Sequence, residues 1–118
     1  MKITRASDIP AQDSAGTRVQ FVATPENGAS ESVLLRGVLS AGGGFAAHSH
    51  DHEEIFYCLS GSCTYEIAGE SGSLSAGDVV VIPAGVLHAF DVGDGLDAVA
   101  VLPAGYKTFA PGETATAG

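Results

Sequence analysis

Apolar and polar positions alternate along most of this chain in short runs, broken by glycine, proline and small polar residues. Thr17–Ala23 (TRVQFVA) and Ser32–Leu39 (SVLLRGVL) are rich in β-branched and aromatic residues and predict two strands. PENGAS at 25–30 and AGGG at 41–44 predict turns that no helix would tolerate. Phe45–His50 predicts a further strand. Glu54–Leu59 (EIFYCL) is strongly β-forming, Ser60-Gly61 then opens a predicted hairpin turn, and Ser62–Ala68 is the return strand. Gly69–Gly72 turns again. Val79–Ile82 (VVVI) is an apolar strand stopped by Pro83 and Gly85, and Leu87–Val92 and Leu96–Leu102 are strands parted by Gly93-Asp94-Gly95. No segment keeps a 3.6-residue apolar period over three turns, and no internal repeat or linker is present. The pattern predicts an all-β sandwich or barrel over 15–106. Residues 1–14, polar with Pro10, read as an arm or loose edge strand. The pattern fades after Pro103, so 107–118 read as a flexible tail.

Composition narrows the function. The 118 residues carry 14 Asp and Glu against 5 Lys and Arg, a formal net charge of -9. Such a chain repels phosphate backbones and anionic lipid, so no nucleic acid and no membrane is expected as partner. A hydrophobic fraction of 45% argues against disorder. No apolar run approaches the ~20 residues of a bilayer span, and MKITRASDIPAQD lacks the apolar core of a signal peptide, so a cytoplasmic location is expected. The two cysteines, Cys58 and Cys63, are too few for a disulfide framework. Their position on either side of the predicted turn leaves a cross-strand bridge open, which a reducing cytosol disfavours.

The chemistry concentrates in HSHDHEE. Side chains at i and i+2 of a strand share a face, so His48 and His50 can aim two imidazoles at one point. Glu54 keeps the same parity, and His88 lies beyond a Pro-x-Gly bend at the head of another strand. Three imidazoles and a carboxylate suit a divalent metal. His52 also has the parity to compete, and Glu53 offers an alternative carboxylate.

From Gly42 the chain reads GGGFAAHSHDHEEIFYCLSG, and from Gly77 it reads GDVVVIPAGVLH. These stretches resemble the two cupin motifs. The first, G-x5-H-x-H-x3,4-E-x6-G, falls on Gly42, His48, His50, Glu54 and Gly61. The second, G-x5-P-x-G-x2-H, falls on Gly77, Pro83, Gly85 and His88, with Ser62–Ala76 between them. The family's second motif often continues to an Asn, where this chain has Val92. The resemblance implies a small antiparallel β-barrel or double-sheet jelly roll. It also implies a metal held by His48, His50, Glu54 and His88, with His52 left on the loop rim, and a homodimer.

One divalent first-row transition metal is therefore expected, and the donor set does not choose among Fe, Mn, Ni, Co and Zn. Arg36, Phe56 and Cys58 are the candidate pocket residues. Phe56 and Cys58 share the parity of Glu54, while Arg36 could clamp a carboxylate or instead make a surface ion pair. Cys58 also reads as an ordinary buried small residue, and Arg18 as a surface cation. Tyr57, Tyr65 and Glu66 read as sheet packing or surface rather than acid–base groups. The leading expectation is a metal-dependent enzyme acting on a small molecule, foremost an Fe(II)-type dioxygenase. A non-redox isomerase, cyclase or lyase and a non-catalytic binding module are the alternatives, with a metal-free relic disfavoured by the intact donor set.

Overall fold

A computed structural model describes residues 1–113, and ten strands run through them, all paired antiparallel. Single 3-10 turns at Ala6–Asp8 and Pro25–Asn27 are the helical pieces among the described residues. The strands are β1 (Ala11–Ser14), β2 (Thr17–Ala23), β3 (Ser32–Ser40), β4 (Gly44–His50), β5 (Glu54–Ile67), β6 (Glu70–Ser75), β7 (Val79–Ile82), β8 (His88–Asp91), β9 (Gly95–Pro103) and β10 (Thr108–Phe109). One sheet runs β1-β2-β3-β9-β5-β7. The other runs β6-β5-β8-β4-β10.

The two sheets share β5, which corrects the hairpin expected at Ser60-Gly61. Glu54–Tyr57 pair with β7, the first half of the strand also pairs with β9, and Ser62–Ile67 pair with β6. The register shifts between Cys58 and Ser60, which leaves Leu59 as the extra residue of a bulge. Gly61 then takes φ 77, and a Cβ there would collide with the Gly95 carbonyl oxygen. The bulge reverses the side-chain parity. Glu54, Phe56 and Cys58 point inward before it, Cys63 after it. A Ser-Gly pair thus bends one long strand from one sheet into the other.

The actual hairpin follows at Ala68-Gly69, with φ 53 and 80, the two-residue turn whose twist suits paired strands. Its return strand, β6 (ESGSLS), has little β propensity and takes its shape from pairing with β5.

The core lies between the sheets. Phe56 and Phe90 stack with centroids 4.3 Å apart, flanked by Leu39, Ile82 and Leu96. On β9, Leu96, Ala98, Ala100 and Leu102 alternate inward, and the two alanines leave room beside the Phe56–Phe90 stack.

Both termini take part in the sheet. Ala11–Ser14 pair with β2 as an edge strand. Thr108 and Phe109 pair with His50 and Ser49, so the tail drawn from 107 begins as part of the sheet. Residues 114–118 of that tail lie outside the described residues. No described helix is long and apolar enough to cross a membrane.

Candidate metal centre

Three strands bring the four predicted donors together. His48 and His50 stand on the last turn-ward positions of β4, Glu54 opens β5, and His88 opens β8 directly opposite His48. One ligand atom from each of the four lies within 4.8 Å of the others, so the cluster could hold a metal ion. Glu54 Oε1 is 2.9 Å from His50 Nε2 and 3.7 Å from His88 Nε2. His50, Glu54 and His88 are buried, and His48 is half-buried. The Pro83-x-Gly85 bend is tied to the same place, because the Gly85 amide donates to the His50 carbonyl at 2.7 Å, with Gly85 at φ 80.

Every imidazole is held through Nδ1. His48 Nδ1 lies 2.7 Å from the Ala46 carbonyl, and His88 Nδ1 lies 2.9 Å from the Val86 carbonyl. His50 Nδ1 lies 3.3 Å from the Lys107 carbonyl and 3.0 Å from the Thr108 hydroxyl. A carbonyl accepts only, so Nδ1 carries the proton at His48 and His88, and each Nε2 lone pair turns to the centre. His88 Nε2 is buried with no hydrogen-bond partner, the one such side-chain atom among the described residues. A buried lone pair without a donor is costly, and a cation beside Glu54 would satisfy it. These residues fit a divalent first-row metal.

The electrostatics agree. Burial alone would push Glu54 up, but the His50 imidazole at 2.9 Å and the His88 imidazole close by outweigh it and hold the carboxyl at about 2. Burial pulls His48 down, which favours the neutral, ligating form. Burial also pulls His88 down, but the nearby Glu54 carboxylate, 3.7 Å away, and the Val86 carbonyl outweigh that and leave it raised, which favours the charged form until a cation takes its place.

A cavity of about 350 Å³ adjoins the cluster. His48, His50 and Glu54 form part of its wall, and Phe45, Phe56, Phe90, Leu35 and Tyr106 form much of the rest. Its room comes from small residues at wall positions, Gly37, Ala46, Ala98 and Ala100 among them.

Of the predicted pocket residues, Phe56 lines this cavity. Arg36 borders it, but its guanidinium is committed to Asp97 through two bonds of 3.0 and 2.7 Å, so it does not present a free cation to the cavity. Cys58 does not line the cavity, a correction to the parity argument. It lies two residues further along β5, past the Phe56–Phe90 stack, fully enclosed in the core, with its thiol 3.7 Å from the carbonyls of Ser60 and Gly61. Cys58 and Cys63 are both free thiols, and burial pushes both up, Cys63 to about 11.

His52 and Glu53 are exposed, outside the cluster. Tyr57 and Glu66 face solvent, Tyr65 packs on the core beside Gly72, and Arg18 pairs loosely with Asp13 at 3.7 Å. Sequence reasoning missed Tyr106 and Thr108, both on the cavity wall. The one signal was an aromatic residue, Tyr106, at the last position of the predicted barrel, where the strand pattern has already faded.

Comparison with known proteins agrees with this architecture. Acireductone dioxygenase 4 of Arabidopsis thaliana is 37% identical over 51 residues, 39% of this chain and 27% of that protein. Acireductone dioxygenase of Tuber melanosporum is also 37% identical over 51 residues, 30% of its length. The chain thus spans under a third of these relatives. Among solved structures, the polyketide cyclase RemF from Streptomyces resistomycificus superposes with a TM-score of 0.81 at 22% identity, covering 97% of this chain and 87% of that one. Salicylate 1,2-dioxygenase from Pseudoaminobacter salicylatoxidans does so with 0.75 at 20% identity, covering 88% of this chain and 31% of that one. At these identities the likeness is one of fold. The Cupin domain family model matches residues 36–102, more than half of the chain, and with both motifs folded around one cluster the chain belongs to the cupin family.

Proposed function

We propose that this cupin is a metal-dependent oxygenase of a small, uncharged, flat molecule bearing oxygen donors, with His48, His50, Glu54 and His88 as the metal ligands. The observation that carries the reading is a metal-ready cluster opening onto an apolar, aromatic-walled cavity almost bare of acid–base side chains. A bound divalent first-row ion supplies Lewis acidity toward a substrate oxygen and, as Fe(II), oxygen activation.

The residues around it do the rest. Phe45, Phe56 and Phe90 offer faces to a planar ring and exclude water. Arg36 is engaged by Asp97, so the cavity lacks a free cation to draw in a carboxylate, which favours a neutral substrate. With Glu54 consumed as a ligand, no carboxylate on the wall remains to serve as a general base.

A second reading is a non-redox cyclase, isomerase or lyase. Tyr106 favours it. It stands on the cavity wall, and burial followed by the charge of Glu54 raises its pKa, which keeps it a proton donor. The experiment is metal analysis of freshly purified protein, then incubation of Fe(II)-, Mn(II)- and Zn(II)-loaded forms with catechol-, o-hydroxyaryl- and enediol-type compounds in an oxygen electrode. Oxygen uptake that needs Fe(II) and is lost in His88→Ala supports the oxygenase. Product formed without oxygen uptake, with any of the three metals, moves the assignment to the second reading. Tight binding without turnover makes the protein a binding module.

The same proposal places the chain in the cytoplasm, consistent with two reduced, buried cysteines. It also makes it a homodimer. Ile55, Tyr57, Val79, Val81 and Val101 form an exposed apolar face across neighbouring strands β5, β7 and β9, and among the described residues β7 has one unpaired edge. A second copy carrying the same net charge of -9 would meet this chain most favourably through such an uncharged face.

A further inference from the structure

His48 and His88 are oriented from within their own segments, each by the carbonyl two residues earlier. His50 is not. Its Nδ1 meets the Thr108 hydroxyl and the Lys107 carbonyl, 58 and 57 residues away in the chain. The segment that brings them is short and has few holds of its own. β10 is two residues long and, among the described residues, pairs only with β4. The structure shows what fastens it. The Lys107 amide donates to Asp51 Oδ1 at 2.7 Å, and the Asp51 amide donates back to the Lys107 carbonyl at 3.4 Å. On the same segment, the Tyr106 ring stands edge-on to His50, with centroids 5.3 Å apart at 89°. Three consecutive residues therefore bear on one imidazole.

We propose that Thr108 is a positioning residue for His50, and that Asp51 clasps the strand that delivers it. This rests on the metal-site reading above. A hydroxyl at this place does what a second carbonyl could not. It accepts from Nδ1–H when Nε2 turns its lone pair to a metal, and it donates to Nδ1 when Nε2–H faces Glu54. His50 is thereby held in one ring orientation in both conditions, whereas a ring held by the 3.3 Å carbonyl contact alone is held loosely.

The test uses Co(II) as probe, followed by its visible absorption, on the wild type, Thr108→Val, Thr108→Ser and Asp51→Ala. Valine keeps the β-branched shape that a strand favours and removes only the hydroxyl. Thr108→Val is expected to weaken Co(II) binding about ten- to a hundredfold and to shift the absorption bands, as outer partners of metal-bound histidines do. Thr108→Ser restores both, and Asp51→Ala weakens binding in the same direction. In nitrogen-detected imidazole spectra of the metal-free protein, Thr108→Val moves the His50 resonances and leaves those of His48 and His88 in place. Wild-type affinity and bands in Thr108→Val overturn the proposal while leaving the metal site standing. A wild type that takes up no Co(II) overturns the metal reading instead, and the metal-free spectra then decide Thr108 alone, with unmoved His50 resonances counting against it.

Discussion

Glu54 and His88 set opposite demands on pH. Glu54 sits at about 2, below its ordinary 4.5, so its pairing stabilises the metal-free fold above pH 4.5 and is lost as pH falls toward 2. His88 is raised from 6.5, so its charged pairing with Glu54 is fully present below 6.5 and is lost as pH rises through its folded value. Metal binding needs neutral imidazoles and moves the other way. The Glu54–His88 pair therefore contributes most to the metal-free fold between about pH 4.5 and 6.5, His48, lowered by burial, costs stability below 6.5, and the rise in Tm on adding Co(II) is expected to grow above that window. A rise in Tm that stays constant from pH 5 to 8 would count against the three-histidine site. Glu54→Gln keeps the shape and removes the charge that joins His50 to His88. It is expected to raise the Kd for Co(II) by roughly a hundredfold or more, at or beyond the top of the range for outer partners, in a direct titration.

At the scale of elements, β5 carries the argument. It starts with Glu54 of the four-residue cluster, stacks Phe56 on Phe90, and then turns from one sheet to the other at Leu59–Gly61. Gly61→Ala puts a Cβ at φ 77 against the Gly95 carbonyl, and is expected to cost ~2 kcal/mol or more in chemical denaturation. A loss within ~0.5 kcal/mol, the range of an ordinary surface change, would show that the bend tolerates a side chain. Strand propensity made β2 and β7 legible, because TRVQFVA and VVVI are dense in β-branched residues. It could not show β6 or β10. ESGSLS and TF become strands because β5 and β4 offer them hydrogen-bonding edges, and a partner distant in sequence leaves no local trace. The Ser-Gly at 60–61 misled for a related reason: a glycine at positive φ serves a tight hairpin and a strand bend equally well.

Across the molecule, two curled sheets flank the cavity beside the cluster, and the exposed positions of β5, β7 and β9 are mostly apolar. The wild type is expected to sediment at about twice 11.8 kDa. Val79→Lys with Val81→Glu, both on the exposed face of β7, is expected to leave a folded monomer that still binds Co(II). A monomeric wild type would end the dimer proposal without touching the metal site.

The four clustered side chains could be read from the sequence because short-range rules place them. Period-two alternation puts His48 and His50 on one face, and the resemblance to the two cupin motifs selects Glu54 over Glu53 and adds His88. The fold class followed from turn punctuation in the same way. Tertiary structure alone decided what surrounds the cluster. Cys58 has the parity of Phe56 yet lies beyond the aromatic stack, because parity specifies a side of the sheet and not a depth. Arg36 borders the cavity but its side chain is bound by Asp97, its neighbour only through the pairing of β3 with β9. Thr108 reaches His50 across 58 positions because β10 docks on β4. Local pattern governs which way a side chain points, while what it meets there depends on strands that the chain brings back from afar.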